Sequence, residues 1–306
     1  MAGLTDLYPE LVDLENFERH ARSLCDLEVI FSTWKMPRLR PEHLCRLPNL
    51  KAVFYAAGTV KAFARPFLER GILVVSAWHA NAVPVAEFTL GQILLSMKGY
   101  FRNAREYSEP GYWELGRFLG AGNYGETVAL LGAGAIGQKV IELLRPFHHR
   151  VIVFDPLLSE SRAEELGVEK VSLQAAFREG YVVSNHLANI PETQELLNEE
   201  LFASMRADAT FLNTGRGATV DEAGLIQVFA SRPDLTALLD VTWPEPPVQG
   251  SPLYGLPNIH LSSHLAGSSN DETVRMADLC IEEFLAWKAK KPLRYAVTLE
   301  MLNRMT

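Results

Sequence analysis

The chain has 306 residues, enough for two domains of ordinary size, and its 48% hydrophobic and 22% charged residues are typical of a globular protein with a full core. Its net charge of −8 and the lack of a run of Lys and Arg disfavour a nucleic-acid partner. The acidic start has no signal-peptide pattern and no apolar run reaches about 18 residues, so we expect a cytoplasmic protein without a membrane partner.

The first part of the chain, up to residue 81, alternates strand-like and helical patterns. Strands are predicted at 27–32, 51–55 and 72–76, and helices at 39–47 and 63–70. This alternation predicts a parallel sheet with helices on both faces.

The chain has three cysteines, Cys25, Cys45 and Cys280, which are widely spaced and not grouped with histidines. We therefore expect neither a disulfide framework nor a metal site.

A long apolar helix is predicted from Pro84 to residue 97, with the proline in the first turn, and it should link two domains. The stretch that follows, 99–125, is rich in aromatic residues and glycine. It is interpreted as an interface arm or a cleft wall, with ordinary core contacts as the alternative.

A glycine motif follows the apolar strand pattern at 128–131. Gly132, Gly134 and Gly137 form G-x-G-x-x-G, and a helical pattern runs from 136 to 144. In such a unit the first glycine permits a tight turn, the second lets the backbone approach a diphosphate, and the third allows close packing of helix on strand. The anion then lies at the helix N-terminus, so the motif predicts dinucleotide binding.

An acidic residue, Asp155, closes the next predicted strand, 151–154. A carboxylate there can accept both hydroxyls of an adenosine ribose and would repel a 2′-phosphate, which favours NAD over NADP. Arg162 lies close enough in sequence to keep NADP as an alternative.

The remaining chain continues the alternation of strands and helices. Strands are predicted at 181–184, 210–213, 235–241 and 259–262, and helices at 192–205, 221–231 and 270–288. Three polar residues stand at or just after predicted strand ends, where open α/β sheets carry their chemistry: Arg216, Glu245 and His264.

These three side chains supply the parts needed to reduce a 2-oxo acid with a nicotinamide. An arginine can grip a carboxylate with two parallel hydrogen bonds, and a histidine beside a glutamate can donate a proton near neutral pH. Taken singly, each has an ordinary interpretation: a surface arginine, a solvated carboxylate between prolines, and a turn histidine.

Together these motifs resemble the D-isomer-specific 2-hydroxyacid dehydrogenase family over nearly the whole chain. The match rests on LGAGAIG, on the N-x-x-R-G segment from Asn213 to Gly217, on Asp240 followed by Glu245-Pro246, and on His264. The segment HLANIPETQELL also resembles the family's stretch beside the adenosine.

The resemblance implies that His264 is the acid/base, Glu245 its partner and Arg216 the anchor of the substrate carboxylate. The residues implied at the cofactor, NAD, are Gly132, Gly134, Ala135, Ile136, Gly137, Asp155, His186, Thr214 and Asp240. Asp240 resembles the family aspartate that contacts the nicotinamide carboxamide. Besides Arg216, the implied substrate contacts are Ala57, Gly58 and Asn81.

The chain departs from the family pattern at several places, one of which is the N-terminus, where the expected first strand is weak or missing. Thr59-Val60-Lys61 stands where an Asp is usual, Ser263 replaces a common Pro, Trp78-His79 a frequent Pro-Gly pair, and Trp243-Pro244 precedes the glutamate. These departures leave the reaction type intact and the particular 2-oxo acid open, since Trp78, His79, Trp113 and Trp243 suit either a small or a bulky pocket.

We therefore predict a two-domain α/β protein in which each domain is a parallel sheet with helices on both faces. Residues 1–81 and 270–306 form a flavodoxin-like substrate domain and residues 82–269 a Rossmann dinucleotide domain, with the active site between them. The resemblance implies a homodimer. An NADPH-dependent glyoxylate or hydroxypyruvate reductase is the alternative enzyme, and a dinucleotide-sensing corepressor the alternative of another class. Formate dehydrogenase is disfavoured, because that relative resembles a variant with Gln in place of Glu245.

Overall fold

The computed structural model describes residues 5–107, 110–111, 113 and 117–305 of the chain. It divides into two compact units, Met1–Asn81 with Ser269–Thr306, and Ala82–Ser268. Both units are built on parallel sheets flanked by helices, which confirms the predicted α/β class. Among the described residues, no helix has both the length and the hydrophobicity of a membrane span.

The first unit is built on three parallel strands in the order β1-β2-β3. These strands are β1 (Val29–Ser32), β2 (Ala52–Tyr55) and β3 (Leu73–Ser76). Side chains alternate between the two faces of β2, so Val53 packs in one apolar cluster and Phe54 in another. The helices of this unit are Phe17–His20, Pro41–Leu44, Arg65–Leu68, Glu272–Lys288 and Leu299–Arg304. The residues after β3 begin the helix Trp78–Met97.

The second unit holds a sheet of seven parallel strands in the order β10-β9-β8-β7-β4-β5-β6. The strands are β4 (Tyr124–Leu131), β5 (His148–Phe154), β6 (Glu169–Lys170), β7 (Val182–Asn185), β8 (Thr210–Asn213), β9 (Thr236–Leu239) and β10 (Ile259–Leu261). The helices are Tyr100–Glu106, Ala135–Leu144, Glu160–Leu166, Leu173–Glu179, Glu199–Ala203 and Glu222–Ser231, with 3-10 turns at Pro191–Thr193, Gly217–Thr219 and Pro252–Tyr254.

The direction of the strand order reverses at β4. The chain proceeds outward from β4 through β5 and β6 on one side, and returns to β7 and onward on the other. Ligands of open α/β sheets bind beyond the carboxyl ends of the strands at such a reversal. This rule predicts a binding site where β4 and β7 end, at Gly132 and His186.

Two predicted helices have different bounds in the structure. The predicted start at Pro84 is wrong, because the helix begins at Trp78 and carries the proline inside it. A proline there removes one intrahelical hydrogen bond, a cost that the surrounding turns of a 20-residue helix can offset.

The continuous helix predicted at 192–205 is also wrong, and two short elements replace it. Glu195 has a φ of 49°, which breaks the helical path, and the side chain of Asn198 accepts a hydrogen bond from the amide of Leu201 as the cap of a new helix. Leu197 instead forms a parallel bridge with Val220.

Candidate active site

The glycine turn after β4 has the close contacts that its motif predicts. Gly132 has a φ of 101°, and a Cβ atom on it would lie 2.9 Å from the carbonyl oxygen of His186. A Cβ atom on Gly137 would overlap the carbonyl of Gly132. Gly134 differs, since a Cβ atom there would meet no atom within 4 Å. Two glycines thus allow backbone to pack on backbone, and the third leaves open space.

That open space lies at the N-terminus of the helix Ala135–Leu144. Gly134 is its cap residue and supplies no side-chain hydrogen bond, so the amides of the first turn, from Ala135 and Ile136 onward, are not satisfied by a cap. Unpaired amides and the helix dipole together favour an anion. The residues present therefore fit the diphosphate of a dinucleotide.

The carboxylate of Asp155 is fixed where β5 ends. Its Oδ2 atom accepts the amide of Ala133 at 2.7 Å and its Oδ1 atom accepts the amide of Leu157 at 2.8 Å. Each oxygen keeps further acceptor capacity for a ribose hydroxyl. The Arg162 guanidinium donates to Glu165 and to the Gln138 side chain, so its charge is already paired. This arrangement fits an unphosphorylated ribose.

His186, at the end of β7, has a ring that remains neutral. Burial lowers its pKa to about 4. Its Nε2 atom pairs with the hydroxyl of Ser184 at 2.9 Å, while its buried Nδ1 atom has no hydrogen-bond partner among the described residues. The backbone of His186 thus packs on the glycine turn, and its side chain carries a ring nitrogen that no described residue satisfies.

A histidine and a glutamate meet beyond β9 and β10. Nδ1 of His264 donates to Oε1 of Glu245 at 2.7 Å, and about half of the histidine side chain is exposed. A bond at Nδ1 fixes the ring and leaves Nε2 to exchange a proton. His264 has a φ of 57°, and its amide donates to the carbonyl of Asp240.

Asp240 organises the loop that carries this histidine. Its buried carboxylate accepts the hydroxyl of Ser262 at 2.6 Å and the amides of Leu265 and Ala266 at 2.9 and 3.0 Å. Three of its lone pairs are occupied in this way. A predicted cofactor residue is therefore also the anchor of the loop around His264.

Arg216 follows β8 and is partly buried. Desolvation lowers the pKa of its guanidinium, an effect that the charge of Glu245 partly opposes. Nη1 donates to the carbonyl of Gly215 at 2.7 Å, and no ion pair to Arg216 occurs within the described part of the chain. A partly buried cation with donors that no described residue engages is suited to bind an anionic group.

The loops of Arg216 and Glu245 touch through Gly217. A Cβ atom on this glycine would overlap the backbone of Thr242, which leads into the cis bonds Trp243-Pro244 and Glu245-Pro246. The structure thus brings Arg216, Glu245 and His264 to one edge of the sheet.

Thr214, predicted at the cofactor, is buried, and its hydroxyl pairs with the hydroxyl of Thr89 at 3.1 Å.

The predicted substrate residues Ala57, Gly58 and Asn81 belong to the first unit. The hydroxyl of Ser76 donates to the carbonyl of Ala57 at 3.1 Å and also to that of Gly58, which holds the turn after β2. A Cβ atom on Gly58 would lie 3.5 Å from Nδ2 of Asn81. The three predicted residues are therefore neighbours.

Comparison with known proteins assigns the fold and the glycine motif to a family. Residues 90–266 match the family model described as the D-isomer specific 2-hydroxyacid dehydrogenase, NAD binding domain. The chain belongs to the D-isomer-specific 2-hydroxyacid dehydrogenase family. NAD as the predicted cofactor is confirmed at the level of this family.

Two curated members of the family are similar in sequence. The D-3-phosphoglycerate dehydrogenase of Archaeoglobus fulgidus is 29% identical over 235 residues, which are 77% of this chain and 44% of that protein. The glyoxylate reductase of Korarchaeum cryptofilum is 30% identical over 246 residues, 79% of this chain and 74% of the reductase. The chain thus spans less than half the length of the phosphoglycerate dehydrogenase that it matches.

The fold is also that of solved family structures. The apo form of Rhodotorula graminis D-mandelate dehydrogenase superposes with a TM-score of 0.80 at 22% identity, over 94% of this chain and 89% of the other. At that identity the likeness concerns the fold alone.

Sequence reasoning missed two residues beside Arg216. Asn185 and Thr219 are buried and joined by a hydrogen bond of 2.8 Å from Nδ2 to Oγ1. A polar residue at the end of an otherwise apolar strand pattern was the available signal at Asn185. No local pattern marks Thr219, since its partners are distant in sequence.

Proposed function

We propose that the chain is an NAD(H)-dependent oxidoreductase that interconverts a 2-oxo acid and a D-2-hydroxy acid. The observation that carries the proposal is the 2.7 Å bond between His264 and Glu245 on the same sheet edge as the partly buried Arg216. When bound, NADH supplies a hydride to the carbonyl carbon and NAD accepts one from the hydroxy acid.

His264 is the proposed acid and base. In reduction, Nε2 of the protonated ring donates a proton to the carbonyl oxygen, and in oxidation the neutral ring removes the hydroxyl proton. Glu245 keeps Nδ1 protonated and fixes the ring plane through the bond between them.

Arg216 is the proposed anchor of the substrate carboxylate. Its unused donors suit a bidentate pair, which would fix the orientation of the neighbouring carbonyl group. The amides of Ala57 and Gly58, in the turn held by Ser76, and the side chain of Asn81 are proposed as further substrate contacts.

The proposed cofactor preference is NADH over NADPH. The fixed Asp155 carboxylate and the paired Arg162 guanidinium support it. An NADPH-dependent glyoxylate or hydroxypyruvate reductase is the second candidate, because a glyoxylate reductase is 30% identical over most of its length.

A homodimer is proposed for the assembled protein. Large apolar side chains are exposed at and after the end of the helix Trp78–Met97, as an interface requires: Leu95, Tyr100, Tyr107, Trp113, Leu119 and Tyr124. Sedimentation of the purified protein tests this assembly, and a monomer at micromolar concentration would contradict it.

The test of the proposed function is a substrate screen. The protein is mixed with NADH or NADPH and with one of a set of 2-oxo acids: glyoxylate, hydroxypyruvate, 3-phosphohydroxypyruvate or a larger acid. Oxidation of the cofactor is followed by the loss of its nicotinamide absorbance. We expect turnover of at least one 2-oxo acid with NADH. Dinucleotide binding without turnover of any acid would favour a sensing role of the corepressor type.

A further inference from the structure

A buried polar network at the ends of β7 and β8 is hydrogen-bonded to the backbone of the Arg216 loop. Asn185 and Asn213 are the last residues of these strands and face each other in register. Nδ2 of Asn185 donates to Oδ1 of Asn213 at 3.0 Å and to Oγ1 of Thr219 at 2.8 Å. We call these three residues the Asn185 network.

The network binds the backbone on both sides of Arg216, at the amide of Gly215 and at the carbonyl of Arg216 itself. Oδ1 of Asn213 accepts the amide of Gly215 at 3.1 Å, and Gly215 in turn offers its carbonyl to the guanidinium. The carbonyl of Arg216 accepts the hydroxyl of Thr219 at 2.8 Å and Nδ2 of Asn213 at 3.3 Å. The arginine is thus tied down before and after its Cα atom.

Burying the polar side chains of this network costs free energy unless their hydrogen bonds are satisfied. Asn185, Asn213 and Thr219 are at most 1% exposed. Buried polar groups are tolerated when each is satisfied, and such networks fix one arrangement of the chain. Here Oδ1 of Asn185 is also used, since it accepts the amide of Leu187 at 3.1 Å. The fixed arrangement is that of the Arg216 loop.

We propose that Asn185 and Thr219 are positioning residues that aim the Arg216 guanidinium at the substrate carboxylate. This inference rests on the proposed function, which gives Arg216 its ligand. The hydroxyl of Thr219 joins Asn185 to the carbonyl of Arg216, so we expect both residues to act through the arginine. A bidentate pair depends on the direction of the guanidinium, and a displacement of about 1 Å can lower a rate by about 100-fold.

The first test is Thr219→Val, which keeps the shape of the side chain and removes the hydroxyl. Folding should survive, because Asn185 keeps its bond to Asn213 and the Arg216 carbonyl keeps its bond to the Asn213 amide. We expect kcat/KM for the 2-oxo acid to fall about 10- to 100-fold, chiefly through KM, with the Kd of NADH unchanged. Thr219→Ser retains the hydroxyl and should restore at least half of the parental value.

The matched control is Thr236→Val. Thr236 is also buried and lies at the start of β9, at the opposite end of the strand from the Arg216 edge. Its kinetics should stay within about 2-fold of the parent. If Thr219→Val fails to fold, Asn185→Leu serves as the second variant, with the same expected rise in KM.

A double substitution tests whether Thr219 acts through the arginine. In an Arg216→Lys background, where the fork is already lost, Thr219→Val should lower kcat/KM by less than about 3-fold further. Multiplicative losses in the double variant, or parental kinetics in Thr219→Val alone, would overturn the inference and leave the proposed function standing.

A binding measurement separates this inference from the proposed function. Calorimetry follows oxamate, an unreactive 2-oxo acid analogue, as it binds to the NADH complex of the parent and of Thr219→Val. Oxamate affinity should fall about 10-fold in the variant. A parent that binds oxamate without reducing any 2-oxo acid contradicts the proposed function alone. A parent that binds no oxamate and reduces no acid contradicts both.

Discussion

Arg216 combines partial burial with a lowered pKa and with donors that no described residue engages. Arg216→Lys keeps the charge and loses the paired geometry of the guanidinium. We expect transition-state stabilisation to fall by roughly 2–5 kcal/mol, as for truncated buried charge pairs. The measurement is kcat/KM for each 2-oxo acid that the parent reduces. Arg178→Lys, in the helix Leu173–Glu179, is the control. Unchanged kinetics in Arg216→Lys would remove this residue from the site.

His264 should govern the two reaction directions in opposite ways. Reduction needs a protonated ring and oxidation a neutral one, so the two rates should show opposite pH trends. His264→Ala should cost about 10²- to 10⁴-fold in rate with dinucleotide affinity unchanged. Steady-state rates in both directions over the pH range measure this.

The exposed His148→Ala is the control for this histidine variant. Glu245→Gln should cost less rate than His264→Ala, because the side chain keeps its shape and loses only its charge. Near-parental turnover in His264→Ala would mean that another group is the acid, and His79 would be tested next.

Asp155 should set the preference for NADH. Its carboxylate would repel a 2′-phosphate, so the parent should show the higher kcat/KM with NADH. Asp155→Ser should narrow the difference between the two cofactors, and Arg162→Ala should leave it in place because that guanidinium is already paired. Equal or better kcat/KM of the parent with NADPH would contradict the assignment.

Among the loops, the contact at Gly217 joins the two that carry Arg216 and Glu245. Gly217→Ala would push a methyl group into the backbone of Thr242, so one loop must move. We expect a loss of about 1–3 kcal/mol in the free energy of unfolding, as for overpacking, together with a lower kcat/KM.

The control for Gly217→Ala is Gly91→Ala. Gly91 lies within the helix Trp78–Met97, and a Cβ atom there would meet nothing within 4 Å. That variant should be stabilised by about 1 kcal/mol or less. Thermal unfolding and steady-state kinetics are measured for both variants. Equal changes in stability and in kcat/KM would contradict the expected effect of the contact between Gly217 and Thr242.

The elements that could be predicted from sequence are those whose signals are local. Gly132, Gly134 and Gly137 lie within one turn and helix start, so their spacing alone indicates the structure. The helix predicted at 192–205 failed because apolar spacing outweighed the cap at Asn198, whose side chain competes with a continuous helix. The predicted start of the long helix at Pro84 was wrong because proline is common in the first turn of helices and was taken as a start signal, whereas the helix begins at Trp78.

The candidate site was predictable to the same degree. Arg216, Glu245 and His264 stand at strand ends, and parallel strands bring such ends to one edge. The Asn185 network was not predictable, because its bonds join residues from β7, β8 and a 3-10 turn whose proximity only the folded sheet creates. Polar residues buried by tertiary structure carry no periodic signal of their own.

For the molecule as a whole, the neutral ring of His186 predicts a loss of stability in acid. Its folded pKa is lowered to about 4, so as pH falls below about 6.5 the unfolded chain takes up the proton first. Stability should fall by about 1.4 kcal/mol per pH unit at most, or about 3 kcal/mol between pH 6.5 and 4, and this contribution should be constant below that window.

The measurement is the free energy of unfolding of the parent and of His186→Gln between pH 7 and 4. The pKa values of His149 and His260 are lowered by burial too and act in the same direction, so the difference between parent and variant isolates His186. The variant should lose less stability in acid. Parallel curves would contradict a buried neutral ring. If the two units unfold in separate transitions, the difference between parent and variant should appear in the transition of the unit Ala82–Ser268.

The first unit is formed by two segments of the chain that are translated at different times, Met1–Asn81 and Ser269–Thr306. Phe54 in β2 is covered by Phe284 and Trp287, which are translated only after the whole of Ala82–Ser268. We therefore expect the nascent chain to expose this apolar face of β2 until the helix Glu272–Lys288 has been translated. A chaperone that binds exposed apolar segments would find its target at β2 during that interval, and release would follow the emergence of the helix Glu272–Lys288.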